Sequence, residues 1–390
     1  MNKYLLFSVL LAFRFYLFPL SCTAQWQQTS LDNFIVNTLV INGSNVFAGT
    51  NGGGVFLSSD NGDTWSAVNT GLKDSTDIFA LAMIGNNIFA ATDSGGVYMS
   101  SNNGLSWTVA NNGLPANFNV ISFATSGRNI FAGTYGNGVF LSNDTGAYWA
   151  ATGLTNADVL SLVTNGNNIF AGTDSGVVYM SSNCGSNWIV SNTGISSTDN
   201  VLSLAMNGYN IFAGTDVGDI YFSSNNGNNW IATGLTDTYI ASLTLNGINT
   251  FAGTSEGVFF SSNNGQIWTC TGLSNTIALS LNVGSGGILF AGTYSGVWKF
   301  ALSDLGINEI NESNVAVYPN PTSGKIQVIS NQSTVNDIEI YNALGEKVYI
   351  LPIIDNRLPI TINLNDISNG VYILKITTDN GIETEKIIKE

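Results

Sequence analysis

The chain has 390 residues, of which only 9% are charged and 43 are glycine. A soluble domain averages about 25% charged residues, so this composition disfavours a helical protein with solvated charged faces. The absence of histidine excludes catalysis and metal binding by imidazole, and the net charge of −15 repels polyanions, so we expect no nucleic-acid partner.

The N-terminus has the pattern of a secretory signal peptide over residues 1–24. Lys3 precedes an apolar run, and small residues follow up to Ala24. We expect cleavage after Ala24. Lipidation of Cys22 is the weaker alternative, because Leu is missing three positions upstream. No later apolar stretch reaches the roughly 20 residues of a spanning helix, so we expect no transmembrane segment in the mature chain.

A tetrapeptide, Phe-Ala-Gly-Thr, recurs through the middle of the chain at intervals of 39 or 42 residues. Such a period is typical of repeat folds, in which each unit buries its faces only against its neighbours. The second copy reads Phe-Ala-Ala-Thr. The seven copies begin at Phe47, Phe89, Phe131, Phe170, Phe212, Phe251 and Phe290.

Each repeat predicts four short antiparallel strands, as residues 201–235 illustrate. Two apolar runs flank the hairpin signal Asn207-Gly208, and turn-forming segments then separate a third run from a fourth that opens with Trp230. Seven such units predict an all-β fold, a seven-bladed β-propeller over residues 25–300.

Tryptophan opens the predicted fourth strand of six repeats, and the seventh repeat lacks it. The missing strand begins at Trp26, because residues 26–31 read Trp-Gln-Gln-Thr-Ser-Leu and match Trp-Ala-Ala-Thr-Gly-Leu at residues 149–154. An N-terminal strand that completes the last blade would close the ring and leave no open sheet edge.

A constant pattern of Ser, Asp or Asn, and Gly precedes each of the six later tryptophans. The Asp or Asn oxygen can accept N–H groups of a turn, the Gly permits positive φ, and the Trp packs between sheets. The pattern resembles the Asp-box, or BNR, repeat of sialidases, propeller xyloglucanases and photosystem-assembly propellers. We expect structural roles for the box residues, which are Ser58, Asp60, Gly62, Trp65, Ser100, Asn102, Gly104, Trp107, Ser142, Asp144, Gly146, Trp149, Ser181, Asn183, Gly185, Trp188, Ser223, Asn225, Gly227, Trp230, Ser261, Asn263, Gly265 and Trp268.

A different pattern begins after a predicted linker at residues 301–313. Apolar runs of period two between turn clusters predict an immunoglobulin-like β-sandwich over residues 314–390. Three motifs in this region resemble the C-terminal sorting domain of the type IX secretion system of Bacteroidota. The motif residues are Pro319, Asn320, Pro321, Gly324, Tyr341, Gly345, Gly370 and Tyr372.

The resemblance to sorting domains implies a route of export. Such a domain takes its cargo from the periplasm through the outer membrane by binding the type IX machinery. It is usually removed, and the cargo is released or attached to surface lipopolysaccharide. The alternative is an ordinary immunoglobulin-like accessory module.

Charged residues limit the chemistry of the predicted propeller. Sialidases bind a substrate carboxylate with three arginines, whereas residues 25–300 contain only the cations Lys73, Arg128 and Lys299, which excludes that activity. A glycosidase needs only two carboxylates, roughly 5 to 10 Å apart. Since 14 acidic residues lie between Asp32 and Glu256, carboxylate glycosidase chemistry stays open.

Polar residues precede the innermost strand of five successive repeats, at the end of the ring opposite to the boxes. Their oxygens could hold a carbohydrate or a Ca²⁺ ion, or Asp77 and Asp158 could act as an acid–base pair. The alternative is that Asp and Asn at these positions only form turns. The candidate ligand-binding residues are Asp77, Asn119, Asp158, Asn200 and Tyr239, with Tyr135 and Tyr294 from neighbouring turns.

The sequence thus predicts a secreted or surface-displayed, monomeric propeller that is not an enzyme. It would bind a glycan or a surface protein and would need no metal or other cofactor. A glycoside hydrolase acting through the carboxylates of the channel mouth is the alternative. A periplasmic assembly factor is a third hypothesis, which would require the C-terminal domain to be retained.

Overall fold

A computed structural model describes the chain from residue 26 to residue 390 with short gaps. The gaps are residues 74–75, 94–95, 116–117, 196–198, 237, 275, 306–314, 319–321, 331–334, 343–344, 353–359 and 379–380. The chain divides into two compact units between Asn308 and Glu309, inside the segment predicted as a linker. The described residues of each unit are all-β apart from a 3₁₀ helix at Leu302–Leu305 in the first.

The first unit contains seven four-stranded antiparallel sheets, numbered sheet 1 to sheet 7 along the chain. Their first strands are β2 (Val36–Asn42), β6 (Ile78–Ile84), β10 (Val120–Ser126), β14 (Val159–Asn165), β18 (Val201–Asn207), β22 (Ile240–Asn246) and β26 (Ala278–Gly284). Their second strands are β3 (Asn45–Thr50), β7 (Asn87–Thr92), β11 (Asn129–Thr134), β15 (Asn168–Thr173), β19 (Asn210–Thr215), β23 (Asn249–Thr254) and β27 (Ile288–Thr293).

The outer half of each sheet is shorter. The third strands are β4 (Gly54–Ser58), β8 (Gly96–Ser100), β12 (Gly138–Ser142), β16 (Val178–Ser181), β20 (Ile220–Ser223), β24 (Gly257–Ser261) and β28 (Gly296–Ala301). The fourth strands have two residues each and are β5 (Ser66–Ala67), β9 (Thr108–Val109), β13 (Ala150–Ala151), β17 (Ile189–Val190), β21 (Ile231–Ala232), β25 (Thr269–Cys270) and, in sheet 7, β1 (Gln27–Gln28). The N-terminal strand β1 pairs antiparallel with β28 and completes the last sheet, as the sequence predicts.

The seven sheets form a ring around a central channel. Each first strand contacts the first strands of both neighbouring sheets, and β26 contacts β2. A cavity of about 220 Å³ lies between these strands and is lined by residues from all seven sheets.

The recurrent tetrapeptide ends the second strand of each sheet, and its positions have distinct packing roles. The seven Phe side chains are at most 1% exposed. The Thr hydroxyl donates to the carbonyl that closes the following turn, as Thr134 does to Gly138 at 2.7 Å. A Cβ on Gly49 would lie 2.6 Å from a methyl carbon of Ile78 in the next sheet, so this close approach requires glycine.

Hydroxyl groups link the first strands of neighbouring sheets around the channel. The hydroxyls of Ser122, Ser161 and Ser242 donate, each at 3.1 Å, to the carbonyl of the first residue in the next sheet's first strand. These serines lie where the pairing of the first two strands is irregular. Sheet 2 carries Ala80 at the same position.

This difference between sheets supplies a matched pair of variants. We expect Ser161→Ala to lower the free energy of unfolding by about 1 kcal/mol, because the Val201 carbonyl loses its side-chain donor. Ala80→Ser would place a hydroxyl near the Val120 carbonyl, and we expect a gain of up to about 1 kcal/mol. Urea unfolding followed by tryptophan fluorescence measures both. Unchanged stability of Ser161→Ala would contradict the linking role.

The C-terminal unit contains two sheets. The three-stranded sheet has the order β29 (Val315–Tyr318), β30 (Lys325–Ser330), β33 (Ile360–Asn363). The four-stranded sheet has the order β32 (Lys347–Pro352), β31 (Val335–Asn342), β34 (Gly370–Thr378), β35 (Gly381–Lys389). Ile326 and Ile362 of the first sheet belong to the same buried cluster as Ile338 and Leu374 of the second, so the two sheets share one core.

Two tyrosines of the predicted sorting motifs anchor the four-stranded sheet. Tyr372 is 7% exposed and its hydroxyl donates to the Ser368 carbonyl at 2.7 Å. The Tyr341 hydroxyl donates to Glu339 at 2.9 Å. Hydrogen bonds from Lys347 and Lys375 hold the pKa of Glu339 at about 2, so this carboxylate stays charged between two strands.

The glycines of the sorting motifs lie at turns and strand ends. Gly345 has a φ of 79° in the turn between β31 and β32, and its N–H donates to the Asn342 carbonyl at 3.0 Å. A Cβ on Gly324 would lie 1.9 Å from the side-chain oxygen of Asn365. Gly370 opens β34. The remaining motif residues, Pro319, Asn320 and Pro321, lie outside the described residues.

Candidate functional site at the channel mouth

The candidate ligand residues lie at one end of the ring, which we call the mouth face. It consists of the turns that follow the second strands and the segments that precede the first strands. Within a sheet these two segments are joined by a backbone hydrogen bond, as from Tyr135 N–H to the Asn119 carbonyl at 3.0 Å and from Ser255 N–H to the Tyr239 carbonyl at 3.1 Å. The five candidate polar residues directly precede the first strands of sheets 2 to 6.

Asp77 is engaged by the turn of the preceding sheet. Its carboxylate accepts a hydrogen bond from the Gly52 N–H at 2.6 Å, and its backbone carbonyl accepts one from the Asp93 N–H at 3.2 Å. This carboxylate holds two sheets in register at the mouth.

Asp158 has a carboxyl partner that the sequence reasoning missed. Its backbone carbonyl accepts a hydrogen bond at 3.2 Å from the N–H of Asp174, in the turn after the second strand of the same sheet, and the two carboxyls are close enough to interact. Burial raises the pKa of Asp174, and the hydrogen bond and repulsion from Asp158 raise it further. The structure therefore pairs Asp158 with Asp174, whereas the sequence paired it with Asp77.

Asn200 and Tyr239 lie on either side of another missed carboxylate. The Asn200 backbone N–H and side-chain amide both donate to Asp216, at 2.9 and 2.8 Å. Burial raises the pKa of Tyr239, and the neighbouring Tyr294 and Asp216 add to the effect. Residues 200, 216, 239 and 294 thus belong to one part of the mouth face.

The three candidate tyrosines are exposed on this face. The exposed fraction is 60% for Tyr135, 54% for Tyr294 and 40% for Tyr239. Asp174 and Asp216 directly follow the tetrapeptide, the same register position that Tyr135 and Tyr294 occupy in their sheets. That shared position is the sequence signal that could have identified the two acidic residues.

The opposite end of the ring, which we call the box face, carries the six Asp-box-like turns. In sheet 1, the Ser58 hydroxyl donates to Asp60 at 2.7 Å and accepts from the Gly62 N–H at 2.8 Å. Asp60 also accepts from the Thr64 N–H at 2.9 Å. Gly62 has a φ of 84°, which favours glycine. Ser58 and Asp60 of this box therefore bond within their own turn.

Acid pH should weaken the Asp boxes selectively. Hydrogen bonds from Thr64, and then from Ser58, lower the pKa of Asp60 from 3.8 to about 2. Because the folded-state pKa is depressed, the carboxylate stabilises the fold above about pH 4, and this contribution disappears as the pH falls towards 2. We expect Asp60→Asn to be less stable than wild type at pH 6 and equally stable near pH 2. Asn occupies this position in four boxes, so the variant tests only the charge. A stability difference that does not change with pH in thermal unfolding would contradict the prediction.

The tryptophans join neighbouring sheets. The Trp107 indole N–H donates to the Val68 carbonyl at 2.7 Å, and the Trp149 indole N–H donates to the Ala110 carbonyl at 2.9 Å. In both cases the acceptor belongs to the preceding sheet. Trp26 donates in the same way to the Thr271 hydroxyl at 3.2 Å, which gives sheet 7 the bond that its own repeat lacks. Trp188 is the exception, because its indole N–H donates to Gly185 within its own box.

The described part of the chain shows neither a metal-binding cluster nor a membrane-spanning helix. The described residues contain no group of three or more carboxylate, imidazole or thiolate side chains that could hold a metal ion, and the mouth carboxylates lie in pairs at most. Within the same described part of the chain, no helix has the length and apolar character needed to cross a membrane.

Comparison with solved structures gives matches to β-propeller-like proteins. YCF48 from Cyanidioschyzon merolae has a TM-score of 0.60 at 12% identity, covering 72% of this chain and 99% of its own. The extracellular domain of BT4673 from B. thetaiotaomicron has a TM-score of 0.60 at 17% identity, covering 93% and 52%. The GH74 xyloglucanase from Xanthomonas campestris has a TM-score of 0.57 at 15% identity, covering 81% and 57%. At these identities the likeness concerns the fold alone.

The sequence also matches one curated enzyme over a short segment and one family model near the C-terminus. The ulvan lyase NLR42 of Nonlabens ulvanivorans is 27% identical over 92 residues, which is 23% of this chain and 17% of that enzyme. The chain therefore spans less than a fifth of that relative's length. Residues 316–390 match the family model of the secretion system C-terminal sorting domain. An all-β, propeller-like chain thus ends in a type IX sorting domain, which implies export to the cell surface or the exterior.

Proposed function

We propose that the protein is an exported, non-catalytic binding module. In this proposal the seven sheets are the blades of an Asp-box propeller closed by β1, and the sorting domain is an immunoglobulin-like sandwich recognised by the type IX machinery. Residues 1–24 are removed as a signal peptide, and the sorting domain is removed after export. The mouth face binds a glycan or a surface protein.

The proposal rests on the mouth residues, where carboxylates fixed by hydrogen bonds lie beside exposed tyrosines. Asp77 and Asp216 are held by hydrogen bonds from a backbone N–H and from Asn200. Beside these fixed groups, Tyr135 and Tyr294 expose more than half of their surface. Exposed tyrosines on short, rigid turns suit binding, because little conformational entropy is lost when a partner covers them.

A glycoside hydrolase is the second candidate, and one observation favours it. Asp158 and Asp174 are in contact, and the pKa of Asp174 is raised by burial and by its partner. A carboxyl with a raised pKa is suited to the general acid of a glycosidase, but the second carboxylate of such an enzyme lies roughly 5 to 10 Å from the acid and not in contact with it. The GH74 xyloglucanase has a similar fold. At 15% identity, that likeness does not imply that this chain has the same activity.

One experiment separates the two candidates. Residues 25–390 are tested on a glycan array with and without Ca²⁺, and xyloglucan and ulvan are assayed for release of reducing ends. We expect no release of reducing ends, and any glycan that binds should bind more weakly to Asp77→Ala and Asp158→Ala and equally to Asp144→Asn on the box face. Reducing-end release that is lost in Asp174→Asn would overturn the non-catalytic proposal.

A further inference from the structure

The two ends of the ring differ strongly in charge. Among the described residues, the mouth face carries nine carboxylates and a single cation, Lys73. The box face carries three carboxylates, and one of its turns contains Arg128. Lys299 of β28 forms an ion pair with Asp63 of the box in sheet 1. The nine mouth carboxylates are Asp32, Asp77, Asp93, Asp158, Asp174, Asp199, Asp216, Asp219 and Glu256.

Several of the mouth carboxylates are accessible to solvent. Asp32, Asp93, Asp174 and Glu256 are exposed. Asp216 is hydrogen-bonded by the neutral amide of Asn200, which orients it without neutralising it. A face of this kind creates a negative potential that attracts cations over roughly a Debye length, about 10 Å at 0.1 M salt.

The exposed aromatic side chains of the mouth lie among these carboxylates. Tyr239 is close enough to Asp216 and Tyr294 for both to act on its hydroxyl. In sheet 3, the turn of Tyr135 faces Asp158 of the next sheet, since a Cβ on Gly136 would lie 3.8 Å from the Asp158 carboxylate. Val217, 63% exposed, adds an apolar side chain beside Asp216.

We propose that the mouth face docks a lysine- or arginine-rich polypeptide segment. This inference rests on the proposed binding function and names its partner class. The aliphatic part of a Lys or Arg side chain can pack on a tyrosine ring. Its cationic group can then form a cation–π contact with the ring and an ion pair with a neighbouring carboxylate. A neutral sugar would use the rings but gain nothing from nine carboxylates, and an anionic polysaccharide would be repelled.

The test uses residues 25–390 and three fluorescein-labelled peptides that differ only in charge: (Lys-Gly-Ser)₄, (Gln-Gly-Ser)₄ and (Glu-Gly-Ser)₄. We expect anisotropy titrations at 50 mM NaCl to give at least about tenfold tighter binding of the lysine peptide than of the glutamine peptide. The glutamate peptide should not bind. Raising NaCl to 300 mM should remove most of the difference, because the face charges are exposed.

Matched variants locate the surface. Tyr135→Ala/Tyr294→Ala should weaken lysine-peptide binding by roughly fivefold, whereas Tyr148→Ala/Tyr209→Ala should not. The second pair is 58% and 72% exposed, but on the box face. For charge, Asp93→Asn/Glu256→Gln should weaken binding by roughly threefold to tenfold, and Asp63→Asn/Asp144→Asn by less than about twofold.

Each outcome has a separate meaning. Equal affinity for the three peptides, or equal losses in mouth-face and box-face variants, would overturn the inference. Binding of a neutral oligosaccharide with no preference for the lysine peptide would overturn it too, but would leave the proposed binding function intact. Hydrolysis of a glycan would overturn the proposed function itself.

Discussion

Deletion of residues 316–390 is expected to leave the propeller unit inside the cell envelope, with essentially none at the cell surface or in the medium. The sorting domain has its own core, in which Ile326, Ile338 and Leu374 are fully buried. The seven-sheet unit has a separate set of buried clusters. Removal of the domain should therefore abolish export without unfolding the cargo. Cell fractionation followed by immunoblotting measures the location.

The converse fusion controls for damage to the cargo. Residues 309–390 attached to an unrelated periplasmic protein should carry that protein out of the cell. The pair of results is decisive for the export route. Export of the truncated chain, or retention of the fusion, would contradict the role of the sorting domain.

Trp149→Ala is expected to lower the free energy of unfolding by about 3 to 5 kcal/mol. Its side chain is completely buried, its indole N–H donates to Ala110 at 2.9 Å, and its ring stacks on Phe123 at 6.4 Å between centroids. Truncation would open a cavity between sheets 2 and 3 and leave the Ala110 carbonyl without this donor. Such a loss is a large part of the roughly 5 to 15 kcal/mol that stabilises a typical domain.

Trp188→Ala is the matched control for Trp149→Ala. Trp188 occupies the same box position in sheet 4 but is only half-buried, and its indole N–H donates within its own box. We expect a loss of about 1 to 3 kcal/mol, smaller than for Trp149. Chemical denaturation measures both variants. Equal losses would show that the bond to the preceding sheet adds nothing.

Much of the fold could be predicted from the repeat. The tetrapeptide supplies one buried Phe and one turn-closing Thr to each sheet, so its period gives the number of sheets. Trp26 and the residues after it copy the other fourth strands, which is why the pairing of β1 with β28 could be predicted. Such predictions succeed because every repeat buries the same side chains in the same local environment.

The carboxyl contacts at the mouth could not be predicted in the same way. The Asp158–Asp174 pair joins residues 16 positions apart, and their contact depends on how the first two strands of sheet 4 are paired. Similarly, Asp77 accepts from Gly52 of the preceding sheet, and that contact depends on how two sheets pack. Side-chain pairs between segments follow from tertiary geometry, which a one-dimensional pattern does not contain.

Hydrogen exchange mass spectrometry of residues 25–390 tests most directly that the mouth face is the binding surface. The chain is measured alone, with saturating (Lys-Gly-Ser)₄, and in parallel with a xyloglucan oligosaccharide. We expect slower exchange in the mouth turns around Tyr135, Asp216 and Tyr294, and no change in the boxes around Asp60 and Asp144. Protection of the boxes or of the outer strands, with the mouth turns unchanged, would contradict it.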